Sequence, residues 1–298
     1  MKRNTRKKRW FVPLVIVTMA IPVVRYCQPP ERDESPQAQR PAIPTYTELH
    51  ATRSGDALRM SEYGLDLVFE GGGAKGLAHV GAIREFERRG LRYRRIAGTS
   101  AGALVAMFVA AGLTGDEIRA AITQRMPDGT IVMGSFLVVP VTFDQQTVRN
   151  SLAFRTLTEL EFPQSVNAST LELMLKIRAF REAFSLVEFG GVVAGDDYLD
   201  WIKGHLNSAR EGLGDATFSE FYRVTGSELT IVAADMETGY MLMLNHRTAP
   251  DLPVAWAARM SSSVPFAFHN VSWKDAWGDY LGSPMVGHRI VDGGVASN

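Results

Sequence analysis

Cysteine is almost absent: Cys27 stands alone among 298 residues. That excludes an intrachain disulfide, a cysteine metal cluster and, within the body of the chain, a cysteine nucleophile. Excess charge is absent too, with 32 Lys and Arg against 32 Asp and Glu, which argues against a nucleic-acid binder and implies no polyanionic partner. A long hydrophobic run is missing as well. The apolar stretch from Trp10 to Val24 falls short of the about 20 residues that a spanning helix needs. Finally, no histidine follows His288, so an acid near the C-terminus has no imidazole after it in chain order.

Lys2, Arg3, Arg6, Lys7, Lys8 and Arg9 precede that short run, which makes a charged n-region followed by an h-region. Residues 1–27 are therefore expected to be a signal peptide, with a short N-terminal membrane anchor as the second reading. Thr18-Met19-Ala20 is a passable cleavage site, whereas Val24-Arg25-Tyr26 lacks the small residues that lipid attachment at Cys27 prefers. The chain is expected in the cell envelope, membrane-associated or secreted. Residues 28–60, rich in Pro, Gln, Arg and Glu without apolar periodicity, read as a disordered tether, and residues 61–298 as one folded domain.

What is present in that domain is a pair of glycine-built turns. The apolar run Leu65 to Phe69 breaks into Gly71-Gly72-Gly73-Ala74-Lys75-Gly76, and a helix is expected from Leu77 to Arg89. Ile96-Ala97 then leads into Gly98-Thr99-Ser100-Ala101-Gly102. Two strand-to-helix turns one βαβ interval apart predict an α/β fold in which parallel neighbours place both turns at their carboxyl ends. Further on, Ala103 to Ala111 reads as a buried apolar helix, and Thr114 caps a more polar one to Gln124. Helices are expected over 144–157 and 170–184, the second with Leu173, Ile177, Phe180 and Phe184 in one stripe that could cap a lipid-binding mouth. Gly195-Asp196-Asp197 caps a helix to Asn207. Strands are expected at 229–233, 241–244 and 289–291, and a helix from Pro253 to Met260 ends in Ser261-Ser262-Ser263.

The spacing Gly71-x-Gly73-x-x-Gly76 also fits a dinucleotide fingerprint. That reading wants an acid at the end of the next strand, where Ile96-Ala97-Gly98 stands. A phosphate loop wants Lys and then Ser or Thr after the last glycine, where Leu77 and Ala78 stand. Consecutive glycines instead offer exposed backbone amides beside a helix start, a setting suited to a developing oxyanion. Lys75 either steers an anionic head group or covers the helix start; the two readings stay open.

Gly98-x-Ser100-x-Gly102 between a strand and an apolar helix is the nucleophile-elbow pattern. A triad would need His205, His246, His269 or His288 with an earlier acid such as Asp196 or Asp235. His79, inside the first helix, reads as a polar packing residue. Asp292 is the better base, because it ends a short apolar strand and Gly293-Gly294 let its loop approach another backbone. Burial beside an apolar pocket would raise its pKa toward that of a useful base.

Together, in this order, Gly71-Gly72-Gly73-Ala74-Lys75-Gly76, Gly98-Thr99-Ser100-Ala101-Gly102 and Asp292-Gly293-Gly294 make residues 65–298 resemble the patatin-like phospholipases. The resemblance implies a three-layer α/β/α sandwich with a mainly parallel central sheet. It implies Ser100 as nucleophile, Asp292 as proton acceptor and Gly71, Gly72 and Gly73 as oxyanion hole. Lys75, Gly76, Gly98, Gly102, Gly293 and Gly294 would support the motifs. The implied activity is hydrolysis of acyl esters of membrane lipids, with a membrane surface as partner and no metal or cofactor. A Ser-His-Asp esterase and a non-catalytic lipid-binding protein are the alternatives. The family's domain usually continues past the Asp-Gly motif with an asparagine, a proline and a further helix, whereas this sequence stops at Asn298. A version extended by such a helix is accordingly expected to be the more stable, and equal thermal midpoints for the two would refute this.

Overall fold

The structure, a computed structural model, describes residues 64–136, 143, 145–152, 154–155 and 173–296. The expected leader and tether lie outside the described residues, as do parts of the helices expected over 144–157 and 170–184. In chain order the elements are β1 (Gly64–Phe69), α1 (Gly76–Arg88), β2 (Arg92–Thr99), α2 (Ala101–Ala111), α3 (Gly115–Ile122), α4 (Arg178–Phe189), β3 (Gly191–Val193) and α5 (Asp196–Ala209). There follow α6 (Phe218–Thr225), β4 (Glu228–Asp235), β5 (Met241–Leu244), α7 (Val254–Ser261), β6 (Phe266–Phe268), β7 (Val271–Ser272) and β8 (Arg289–Asp292). The chain divides into two compact units, the larger holding residues 64–135, 196–263 and 271–296 of the described chain, the smaller those within 136–195 and 264–270.

The larger unit is built on a mixed six-stranded sheet. β1, β2 and β4 are parallel neighbours, β5 and β8 run antiparallel to β4, and β7 runs antiparallel to β8. Four strands thus share one direction, and the fold is α/β as expected. α2, whose residues from Gly102 to Ala110 are all buried, is apolar on every side because every side meets protein. Burying a side chain such as Leu104 or Phe108 contributes about 1.5–3 kcal/mol. The polar helices that follow begin at capping boxes: Thr114 with Glu117 for α3, and Thr217 with Glu220 for α6.

The register of β4 decides where the functional residues go. Ile231 and Val232 pair with both β2 and β5, while Ala233 and Ala234 pair with both β5 and β8. A strand has two edges, so β5 takes one and β2 and β8 share the other. β2 leaves that edge at Thr99, opposite Val232; β8 arrives from the other direction and ends at Asp292, opposite Ala233. The two strands meet end to end, and Ser100 is forced off the sheet at the place Asp292 reaches.

Close backbone approach explains the glycines of the second turn. A Cβ on Gly102 would lie 2.3 Å from the Phe69 carbonyl oxygen, and one on Gly98 would lie 2.2 Å from the Gly102 carbonyl oxygen. The first turn of α2 therefore rests on the ends of β1 and β2.

In the smaller unit β3 and β6 pair in parallel, and Val148, Leu175 and Phe184 form a core with Phe143, Phe154, Phe180 and Phe189 around it. The helix expected over 170–184 is interrupted: residues 173–175 are helical, Ile177 is extended (φ −83°, ψ 117°), and α4 starts at Arg178. Its apolar stripe is split accordingly: Phe184 is buried, while Leu173, before the break, and Ile177, at it, are exposed. Periodicity persisted across a break that the backbone makes.

Gly102→Ala is expected to destabilise the protein by at least about 2 kcal/mol through its clash with the end of β1. Gly81→Ala, inside α1 with open space around it, should instead stabilise by up to about 1 kcal/mol. Thermal midpoints by circular dichroism compare the two, and equal midpoints would contradict the packing described.

Candidate active site

Ser100 is half-buried and sits at φ 53°, ψ −123°, one of three non-glycine residues with positive φ among those described. Such a conformation costs on the order of 1–3 kcal/mol and persists only where neighbours impose it. Its carbonyl opens α2 by accepting from the amide of Ala103 at 2.9 Å, and its own amide donates to Ser261 Oγ at 2.8 Å. The hydroxyl therefore stands at the positive end of a buried helix, where developing negative charge is favoured.

That hydroxyl donates to Asp292 Oδ2 at 2.6 Å. The other oxygen, Oδ1, accepts from the amide of Gly294 at 2.8 Å, and the amide of Asp292 donates to the Ser263 carbonyl at 2.9 Å. Gly293 makes the turn possible, since a Cβ there would lie 2.4 Å from the Val232 carbonyl oxygen. Asp292 is only 5% exposed. Burial pushes its carboxyl above the ordinary range, against the opposing hydrogen bonds from Ser100 and Gly294. A buried carboxylate holding a serine hydroxyl can take its proton.

The glycine loop lies at the end of β1, next to this turn: a Cβ on Gly76 would lie 3.2 Å from Ala101 Cβ, and Gly102 rests on Phe69 and Glu70. Gly71 is buried, whereas Gly72 (φ 147°) and Gly73 (φ 56°) are exposed. Among the described residues the amides of Gly72 and Gly73 donate to no protein group. Lys75 is exposed, folds its stem over Gly72 and pairs with no carboxylate among the described residues. His79, read from the sequence as packing, lies against Phe69 and places Nε2 3.0 Å from the Glu70 carbonyl oxygen, so it also steadies the loop.

The remaining histidines are engaged elsewhere. His205 packs against Phe108 and Trp201, and burial lowers its pKa. His246 stacks on Tyr222, His269 on Phe189 with Nε2 2.8 Å from Ser185 Oγ, and His288 Nδ1 lies 2.9 Å from Asp235 Oδ2. Neither Ser100 nor Asp292 has a histidine partner among the described residues. Asp235, Glu237 and His288 converge closely enough to ligate an ion, but Asp235 already accepts from Glu237 N and Thr238 Oγ1, and Glu237 is paired with Arg289. That group reads as a structural network at the end of β4.

Sequence reasoning took Ser261-Ser262-Ser263 as a helix end and missed that each binds around the site. Ser261 holds the Ser100 amide, Ser262 Oγ lies 3.3 Å from Tyr198 Oη, and Ser263 receives Asp292 on its carbonyl and Arg259 on its hydroxyl. Three hydroxyls in succession at a buried helix exit were the available signal.

The profile of the family described as patatin-like phospholipase matches residues 67–298. This chain belongs to the patatin-like phospholipase family. The match takes in all three glycine-bearing motifs of this patatin-like protein. An uncharacterized protein, YqhO of Bacillus subtilis, is 32% identical over 240 residues, covering 78% of this chain and 64% of that protein. The cUMP-AMP-activated phospholipase of Escherichia coli is 36% identical over 78 residues, 23% of this chain and 24% of that one. The crystal structure of VipD from Legionella pneumophila aligns with a TM-score of 0.42 at 17% identity, covering 80% of this chain and 47% of that chain. The patatin-like chain thus spans just under two thirds of YqhO and far less of the other relatives.

Because burial raises the Asp292 pKa in the folded state, stability associated with this group is present below its unfolded-chain pKa. It is lost as pH climbs through the folded value. Asp292→Asn should therefore raise the thermal midpoint at pH 8, with the advantage shrinking below pH of about 4, where the unfolded chain also holds the proton. A midpoint at pH 8 lower than that of the wild type would contradict this.

Proposed function

We propose that this protein hydrolyses acyl esters of membrane lipids through Ser100 and Asp292. The observation that carries the reading is the 2.6 Å hydrogen bond between Ser100 Oγ and Asp292 Oδ2, with no imidazole on either group among the described residues. Membership of the patatin-like phospholipase family supports lipid as the substrate class.

In the first half-reaction Asp292 takes the hydroxyl proton as Ser100 Oγ attacks the ester carbonyl carbon. The carbonyl oxygen becomes an oxyanion facing the amides of the Gly71–Gly73 loop, where a single well-aimed donor is worth about 3 kcal/mol. Collapse breaks the carbon–oxygen bond to the alcohol, which leaves with the proton from Asp292, and an acyl-Ser100 ester remains. In the second half-reaction Asp292 deprotonates water, the hydroxide adds to the acyl carbon, and Ser100 Oγ leaves with the proton. The fatty acid is released and both residues return to their starting states. Lys75, an exposed cation beside the glycine loop, suits an anionic head group.

The N-terminal charged and apolar segments support placement in the cell envelope or beyond it. Among the described residues no helix is long and apolar enough to cross a membrane.

Ser100→Ala and Asp292→Asn should each lower hydrolysis of a chromogenic acyl ester by roughly 1,000-fold or more. Alanine at His205, His246, His269 or His288 should leave most of it. Activity of the wild type should fall as acid protonates Asp292, with a midpoint above that of an ordinary aspartate. Loss of turnover in a folded histidine variant would replace the dyad with a triad.

A further inference from the structure

The run Ser261-Ser262-Ser263 closes α7, and its first hydroxyl has an unusual assignment. Ser261 is fully buried. Its Oγ carries one proton, which it donates to the Val232 carbonyl, so the lone pair facing Ser100 can only accept. What it accepts is the main-chain amide of Ser100, at 2.8 Å.

The register explains why that amide needs an outside partner. Thr99 is the last residue of β2 paired to β4, opposite Val232, and the next place on that edge belongs to Asp292. A strand continuing through Ser100 would have kept its backbone bonds in the ladder, but β8 takes the position. The amide of Ser100 is left at φ 53° with no strand beside it, and an unmatched amide in so enclosed a place is costly. Ser261 supplies the missing acceptor and, through Val232, anchors it to β4, the strand against which Asp292 of β8 pairs.

We infer that Ser261 is a positioning residue, which holds the Ser100 turn in the conformation that aims its hydroxyl at Asp292. The inference rests on the Ser100–Asp292 reading given above. It assigns Ser261 no contact with substrate and no proton to move.

The test uses the full chain, a chromogenic acyl ester, and titration of active sites with a fluorophosphonate. Ser261→Ala should lower kcat per titrated site roughly 10- to 100-fold, the cost of a misaimed nucleophile. KM should stay within about twofold and the pH profile should not move, since the base is untouched. Ser261→Thr, which restores the hydroxyl, should recover most of the rate. Ser185→Ala removes another fully buried serine, bonded to Gly191 and His269, and should lower the thermal midpoint without changing kcat per site. Amide hydrogen exchange over residues 98–102 should quicken in Ser261→Ala and not in Ser185→Ala.

Unchanged kcat per site in Ser261→Ala, or unchanged exchange over 98–102, overturns the inference. If Ser261→Ala fails to fold, Ser261→Cys takes its place with the same expectations, because sulfur is a weak acceptor. Turnover that survives Ser100→Ala would sink the dyad reading instead, and the exchange measurement would still decide whether Ser261 holds the turn.

Discussion

Strand β4 has two edges and three partners, and the rest of the site follows from how they share it. β5 occupies one edge; β2 and β8 divide the other, meeting between Val232 and Ala233. Each must leave the sheet where the other begins. β2 leaves through Ser100 into α2, and β8 through Asp292 into the turn Gly293–Val295. Residues 192 positions apart in sequence thereby come within hydrogen-bonding distance.

Such a meeting needs backbones nearly in contact, which is why glycine recurs at the points where chains touch. Gly102 lies on the end of β1, Gly98 on Gly102, and Gly293 on Val232. The glycines at 72 and 73 answer a different demand, since their positive φ turns exposed amides out of the loop. Polar groups fill what the sheet cannot satisfy. Ser261 and Ser263 act from one helix end on the two facing residues, Ser261 on the amide of Ser100 and Ser263 on that of Asp292.

The arrangement holds several unfavourable elements together. Ser100 is in the left-handed region, Asp292 is a buried carboxylate, and Arg259, nearly fully buried beside Ser263, has its guanidinium drawn down to about 10 by desolvation. The apolar burial of α2 and α7 offsets them, with hydrogen bonds confining each polar group to one geometry. A site with raised energy in the resting protein is suited to work that lowers it in the transition state.

Much of this was written locally. The turns at 71–76 and 98–102, the capping boxes at Thr114 and Thr217, the apolar α2 and the strand ending at Asp292 depend on neighbours in sequence, and pattern reading finds them. The helix expected over 170–184 is broken at Ile177, whose backbone is extended, although the apolar spacing of three and four continues through it. His79 carries a polar role that no local pattern separates from packing, and the run of three serines marks a helix exit without showing which groups it binds.

The sequence alone determined the chemical inventory: a serine and an aspartate each beside glycine, a glycine loop before a helix, and no cysteine after Cys27 to compete. It could do so because turn chemistry is a property of a few adjacent residues. Which side chain stands against the Ser100 hydroxyl was decided by tertiary structure. The strand end and the glycines after it favour Asp292 over the histidines already along the chain, but only the division of one strand edge between β2 and β8 brings Asp292 to the hydroxyl and leaves the described histidines elsewhere.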